Sequence, residues 1–303
     1  MKVAITGSTG LIGTALTRRL EAAGHRVVPV LRRPVSRDEP AIGWDPAAGT
    51  IDRDGLEGLD GVVHLAGAGI GDQRWTDERK RLVTESRTAS TELLATTLAS
   101  LDTRPPVLIS GSAIGYYGDR GDEILTEASA PGDDFLARLC VAWEAATAPA
   151  TEANIRVATI RTGLVLDRQG GALPKLLPFF KFGVGGRYGS GRQWWSWITM
   201  EDEIEAIVWL LTAKVWGPVN LTAPQPVTNA DFAKALGRTL HRPSLFPVPT
   251  FAPGLVVGQE LAKALLFTSA RVQPAALEAG GYPFQRPDLP EALASVLDQG
   301  ARP

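Results

Sequence analysis

The chain has 303 residues, 44% of them hydrophobic and 21% charged, enough for one large domain or a main domain with a smaller one. Its 31 Lys and Arg against 33 Asp and Glu leave a net charge of −2, which implies no general attraction to nucleic acid or to an anionic membrane. A single cysteine, Cys140, excludes an internal disulfide, and no apolar run approaches the ~18 residues needed to cross a bilayer. With no charged leader and apolar stretch of signal-peptide length, the expected location is cytoplasmic.

The first half alternates strands and helices. An apolar strand runs into a turn carrying Gly7, Gly10 and Gly13, and Ile12, Ala15, Leu16 and Leu20 then repeat at helical spacing until Gly24. A second strand spans 26–31 and a short third one 41–45. A buried strand, 61–67, ends in a glycine loop. Thr76 is placed to cap a long helix whose face carries Val83, Ser90, Leu94 and Leu98. A fifth strand covers 105–112, a loop 113–133, a helix bears Leu136, Leu139, Cys140 and Trp143, and a sixth strand covers 156–161. This alternation predicts an α/β fold, a Rossmann-type doubly wound parallel sheet with a smaller C-terminal α/β lobe. The predicted division is 1–166 for the dinucleotide domain, with elements of about 195–222 returning to it, and 167–303 for the lobe.

The second half is less regular. Residues 168–200 are rich in Gly, Phe and Trp; a helix is predicted over 203–213, a strand over 218–221 and a helix from Asn229 to about Leu240. Prolines at 243, 247, 249 and 253 predict extended or turning chain. Short helices are predicted over 254–267, 274–279 and 288–298.

A glycine turn between a strand and a helix brings backbone N–H groups against a pyrophosphate at the helix N-terminus. An NAD site places Asp or Glu at the end of the second strand to hold the ribose 2′-hydroxyl. Here that strand ends in Arg32-Arg33-Pro34. A carboxylate repels a 2′-phosphate and a guanidinium pairs with it, so the expected ligand is NADP(H). Leu65-Ala66-Gly67, at the carboxyl edge of the sheet, can let backbone approach a ribose.

Ser112 ends the fifth strand on the same edge, with Tyr116 and Tyr117 in the following loop. A serine can hold a substrate oxygen while a tyrosine moves a proton, but a tyrosine of pKa ~10 needs a neighbouring cation to do so at neutral pH. No lysine occurs between Lys80 and Lys175 and no Tyr-x-x-x-Lys exists; Phe135 and Leu136 stand in the tyrosine register, Leu139 and Cys140 in the lysine register. Three readings stay open. Tyr117 acts with Ser112, activated by a group such as Arg120 or the cofactor; another residue supplies the proton; or the site binds a dinucleotide without hydride chemistry. His25, His64 and His241 read as structural, Cys140 as core packing, and no spacing suggests a metal site. Arg187, Arg192 and Gln193, around Gly189-Ser-Gly191, can hold an anionic or sugar group or simply pack a loop.

Thr6-Gly-Ser-Thr-Gly-Leu-Ile-Gly13, Leu65-Ala-Gly67, Ile109-Ser-Gly-Ser-Ala-Ile-Gly-Tyr-Tyr-Gly118, Arg161-Thr-Gly163, Gly189-Ser-Gly-Arg192 and Trp197-Ile198 together resemble the extended or atypical short-chain dehydrogenase/reductases. More narrowly they resemble the sugar-nucleotide-epimerase-like family with a short C-terminal domain, whose end is similar to residues 258–293. The resemblance implies NADP(H) contacts from Gly7, Thr9, Gly10, Leu11, Ile12, Gly13, Arg32, Leu65, Ala66 and Arg87. It implies that Ser112 is the active-site serine and that Tyr117 belongs to the loop after it. It also implies an oxidoreductase or epimerase-like activity on a small polar carbonyl, hydroxyl or sugar-nucleotide compound, with no nucleic-acid or membrane partner. Because that family commonly lacks the Tyr/Lys pair, a non-catalytic NADP(H)-binding or sensing role is the alternative.

Overall fold

The computed structural model describes residues 1–298 apart from 37 and 245. The apolar opening forms β1 (Lys2–Thr6), the glycine turn feeds α1 (Leu11–Ala22), and Gly24, at φ 77°, turns the chain into β2 (Arg26–Leu31). A hairpin of β3 (Ile42–Asp45) and β4 (Thr50–Ile51) follows, then β5 (Gly61–His64) and the long α2 (Asp77–Ala99). The Thr76 side chain accepts from the Arg79 N–H at 3.1 Å, the cap its position predicts. The first half closes with β6 (Val107–Ala113), β7 (Ile124–Leu125), α3 (Phe135–Ala145), α4 (Ala148–Glu152) and β8 (Arg156–Thr162).

The second half contains β9 (Leu164–Leu166), α5 (Leu173–Lys181), β10 (Trp194–Trp195), β11 (Trp197–Thr199), α6 (Met200–Thr212), β12 (Gly217–Leu221), β13 (Val227–Thr228) and α7 (Asn229–Thr239). It ends with α8 (Phe251–Val257), α9 (Gln259–Ala262), β14 (Arg271–Val272), α10 (Ala275–Ala279) and α11 (Leu289–Asp298).

The central sheet has the order β12-β8-β6-β5-β1-β2-β3-β4, parallel throughout except at the β3–β4 hairpin. Its strands are apolar on both faces because helices cover both. Val3, Ile5, Val63, Ile109 and Ile160 face Leu16 and Leu20 of α1 and Ile204, Ile207 and Leu210 of α6. Ala4, Val28, Val62, Leu108 and Val157 face Leu94 and Leu98 of α2. A separate core in the lobe joins Leu173, Leu177 and Phe180 of α5 to Trp197, Phe232 and Leu293. Burying one such side chain fully contributes about 1.5–3 kcal/mol, so these clusters dominate the fold's energy.

Three predicted segments differ. The expected loop 113–133 holds a 3₁₀ turn (Ile114–Tyr117) and β7, which pairs in parallel with the distant β14. The Gly/Phe/Trp stretch contains α5, helical despite Pro178 inside it, because Leu173, Leu176, Leu177 and Phe180 bury one stripe. The helix expected over 254–267 is broken at Gly258, whose φ of 95° suits glycine, and finishes in a wide π-type turn, Lys263–Phe267. Among the described residues no helix is long and apolar enough to cross a membrane.

Candidate functional site

The glycine turn is packed too closely to carry side chains. Gly7 has φ 67°, and a Cβ there would lie 2.9 Å from the Leu65 carbonyl. At Gly13 a Cβ would lie 2.1 Å from the Gly7 oxygen, so α1 can approach the turn only with glycine at that position. α1 starts at Gly10 with no side-chain cap and no acidic residue in its first turn. Its leading N–H groups and the positive end of its dipole are therefore available to an anion. Thr9, Gly10 and Leu11 are exposed, Ile12 is half-buried, and Gly170 rests against Leu11.

β1 is locked to the next ligand-edge loop by Thr6. Its Oγ1 accepts from the N–H groups of Leu65 and Ala66 at 3.1 Å each and lies 2.7 Å from His64 Nδ1. His64 Nε2 continues to Thr91 Oγ1 at 2.9 Å, where Trp143 Nε1 also donates at 3.0 Å. Burial pushes the His64 pKa down to about 4, so the ring is a neutral strut between β5 and α2. Arg87, on α2, lies under the same loop; it donates to the Ala68 carbonyl at 2.9 Å and stacks 5.0 Å from the Trp143 ring centroid. Arg32 is exposed at the end of β2 and, among the described residues, makes no side-chain hydrogen bond or ion pair. Arg33 is instead tied to Glu39.

On the same carboxyl edge, toward β12, the strand register builds a buried polar row. Ser112 of β6 stands opposite Arg161 of β8, and Arg161 stands opposite Asn220 of β12. Neighbouring positions in a parallel sheet point to one face, so the three side chains meet. Glu144 of α3 reaches down to them and takes Arg161 bidentately, at 2.8 Å to each oxygen. Ser112 Oγ lies 2.6 Å from Glu144 Oε1. The carboxylate is the acceptor, so the serine proton is directed at Glu144 and a ligand meets the serine's lone pairs. Arg161 Nη1 donates to the Tyr117 hydroxyl at 3.0 Å, and that hydroxyl donates to Asn220 Oδ1 at 2.7 Å. The guanidinium also stacks 3.4 Å from the Tyr116 ring centroid. Burial opposes its charge, but the hydrogen bonds and charge of Glu144 outweigh that, and the Arg161 pKa is raised.

This geometry revises the picture around Tyr117. Its side chain is fully buried against Leu125, Ala270 and Val272, and burial pushes its pKa up to about 12. The cation at its hydroxyl is Arg161, not Arg120, which pairs with Glu123. In this arrangement Tyr117 braces Arg161 from within the core. Ser112, 5% exposed, stands at the head of the row. The sequence shows Arg161 only as part of the Arg161-Thr-Gly163 motif and gives no role to Glu144 or Asn220; the available signal is an arginine after the apolar Val157, Ala158 and Ile160 of a central strand, where a buried charge needs a carboxylate partner. Leu136 and Cys140, in the tyrosine and lysine registers, are both buried, and burial raises the Cys140 thiol to about 12.

Of the other candidates, Arg187 is folded onto the carbonyls of Gly189 and Ser190, and Gln193 donates to those of Tyr188 and Leu266. A cavity of about 550 Å³, lined by Met1, Arg19, His25, Glu205, Trp209 and Tyr282 among others, opens at the amino ends of β1 and β2. Ligands of open α/β sheets bind at the carboxyl ends, and the glycine turn, Arg32 and Ser112 all lie there. Among the described residues no three His, Cys, Asp or Glu side chains are grouped to hold a metal.

A model of the NAD dependent epimerase/dehydratase family matches residues 3–221. The chain belongs to that family. A domain of unknown function, DUF1731, matches residues 248–296, and with it the chain is an atypical short-chain dehydrogenase/reductase. It is 43% identical over 292 residues to an epimerase family protein of Mycobacterium tuberculosis, covering 96% of each. It is 35% identical to human epimerase family protein SDR39U1, whose crystal structure with NADPH superposes at a TM-score of 0.89 over 98% of this chain and 99% of that one. A nucleoside-diphosphate sugar epimerase from Corynebacterium glutamicum is 41% identical, with a TM-score of 0.81 over 98% of this chain and 58% of that one. The Rossmann-type fold and its C-terminal unit are thus those of the family's solved structures.

Proposed function

We propose that this epimerase-family protein binds NADP(H) along the carboxyl edge of its sheet and acts on a small polar carbonyl, hydroxyl or sugar-nucleotide compound. The observation that carries the cofactor is the pairing of an uncapped α1 N-terminus, closed by Gly7 and Gly13, with an uncommitted Arg32 where an NAD site has a carboxylate. The NADPH in the human SDR39U1 structure supports the same choice. Leu11 and Ile12 would border the pyrophosphate, Arg32 the 2′-phosphate, Leu65 and Ala66 a ribose, with Arg87 fixing their loop. When bound, the cofactor supplies hydride chemistry. The chain's own contribution is Ser112, oriented by Glu144 to receive a hydrogen bond from a substrate hydroxyl, with Arg161 and Tyr117 fixing Glu144.

Fluorescence titration with NADPH and NADH tests the cofactor. NADPH should bind more tightly, and Arg32→Ala should weaken NADPH by about tenfold or more while leaving NADH nearly unchanged, the scale of one charge-assisted phosphate contact. Equal binding of the two cofactors by the unmodified chain would sink the reading. A screen of sugar nucleotides and simple carbonyl and hydroxyl compounds then tests for turnover that Ser112→Ala abolishes. A second reading, a non-catalytic NADP(H)-binding or sensing protein, is favoured by the buried Tyr117 and by Leu136 and Cys140 standing where a Tyr/Lys pair would be. Tight NADPH binding with no turnover across the panel would select it.

A further inference from the structure

The net charge of −2 hides a segregation of charge along the chain. Residues 168–200 contain Arg168, Lys175, Lys181, Arg187 and Arg192 and no Asp or Glu. Residues 232–259 contain Lys234, Arg238 and Arg242, again without an acidic residue. All eight of these basic side chains are exposed. The rest of the chain is left with 23 basic residues, 31 less 8, against all 33 acidic ones.

The same two segments expose apolar side chains. All four exposed phenylalanines among the described residues lie in them: Phe179, Phe182, Phe246 and Phe251. α5 is apolar on two sides. Leu173, Leu177 and Phe180 face the core of the lobe, while Lys175, Phe179 and, just past the helix, Phe182 are spaced i, i+4 and i+7 and point outward, Phe182 being 83% exposed. On α8, Phe251 and Leu255 are exposed at i, i+4 spacing, and Val256 beside them is 76% exposed. The two segments run side by side. Arg242 Nε donates to the Lys181 carbonyl at 3.1 Å, Gly183 lies against Pro243, Gly186 lies against Phe246, and the Val248 N–H donates to the Arg187 carbonyl at 2.8 Å. The aromatic and basic side chains therefore share one surface.

Apolar residues exposed singly are ordinary; a contiguous aromatic set rimmed by basic side chains marks an interaction face. A second copy seated on the same face would set like charges against these. A shaped partner needs a groove, and neither the cavity at the amino ends of β1 and β2 nor a smaller one between β9 and α11 is lined by any of these apolar side chains. A bilayer accepts protruding side chains without a groove. Phe, Leu and Val tips enter the boundary of headgroups and acyl chains, and Lys and Arg reach anionic headgroups. The acidic remainder of the chain turns this face toward such a surface.

We infer that the face built by residues 175–187 and 234–256 docks on the surface of an anionic lipid bilayer without crossing it. This goes beyond the proposed function and does not depend on it.

Co-sedimentation with vesicles of phosphatidylglycerol and phosphatidylcholine in equal parts, against vesicles of phosphatidylcholine alone, tests the face. The chain should bind the anionic vesicles about tenfold or more tightly than the neutral ones, and raising the salt from about 0.05 M to about 0.5 M should release it. The double variants Lys181→Glu with Arg242→Glu and Phe182→Ser with Phe246→Ser should each weaken binding about tenfold or more. Both change exposed residues, so their circular dichroism and thermal midpoints should match those of the parent chain. In the unmodified chain, anionic vesicles should slow amide hydrogen exchange in 178–187 and 246–257 but not in α2, a measurement that needs no variant to fold. Equal binding to both vesicle types, no binding at low salt, or protection confined to other segments would overturn the inference. A dimer in sedimentation that the two serines dissolve, without vesicle binding, would also overturn it and give the face to a second copy.

Discussion

Glu144 is what allows Arg161 to sit 2% exposed in the middle of a sheet. Two hydrogen bonds of 2.8 Å satisfy the guanidinium fork, and Tyr117 and the Glu127 carbonyl line its remaining edge. Such a pair adds little over an apolar substitute, but removing one partner strands a buried charge. Glu144→Ala should therefore destabilise the chain by about 3–5 kcal/mol in urea unfolding, far more than the same change at the half-exposed Glu205 of the Arg19 pair. A loss below about 1 kcal/mol would show that Arg161 is paired in some other way. Ser112 depends on the same carboxylate. Glu144→Gln keeps an acceptor at that point and should retain more of whatever binding or turnover Ser112 supports than the alanine variant does.

The contact between α1 and the glycine turn is the element on which the nucleotide site rests. A Cβ at Gly13 would meet backbone atoms, which cannot rotate away. Gly13→Ala should push α1 off the turn and weaken NADPH binding by an order of magnitude or more, with a lower thermal midpoint; binding equal to the parent chain would contradict the close approach. That element was legible in the sequence, because the strand, the glycines and the helical repeat are all local. So were α2 with its Thr76 cap and α6, expected over 203–213 and found over Met200–Thr212. What was not legible shares one property: it depends on contacts between residues far apart in the chain. β7 exists because β14, nearly 150 residues later, pairs with it. α5 survives Pro178 because its apolar stripe finds Trp197 and Phe232. In the site, the glycine turn and Arg32 follow from strand order, while the Ser112–Glu144–Arg161–Tyr117 row needs the register of three strands and the reach of α3. No local pattern reveals that a tyrosine five residues after a serine turns into the core.

Two buried ionisable groups give the whole molecule a distinctive response to pH. Glu203, at the start of α6, is fully buried with one oxygen accepting from Thr162 at 2.8 Å and the other unpartnered. Burial raises its pKa from 4.5 to about 8. His64 is buried on the other side of the sheet's centre, and burial lowers its pKa from 6.5 to about 4. Between pH 4.5 and 8 folded Glu203 holds a proton that the unfolded chain has released, so this group makes stability decline as pH rises. Between pH 4 and 6.5 the unfolded chain holds a proton on His64 that the folded one lacks, so this group makes stability rise with pH. The two slopes oppose each other up to pH 6.5, and above it Glu203 acts alone. From these two groups stability should be nearly flat from pH 4.5 to 6.5 and then fall by roughly 2 kcal/mol toward pH 8, at about 1.4 kcal/mol per proton per unit. Glu203→Gln removes one slope and leaves the other. The variant should gain stability with pH between 4.5 and 6.5, lose the decline above 6.5, and exceed the parent chain most clearly at pH 8. Urea midpoints of the two chains at half-unit steps of pH would show it. Parallel curves for parent and variant would mean that Glu203 is already ionised in the fold, with a counter-charge or solvent at its unpartnered oxygen.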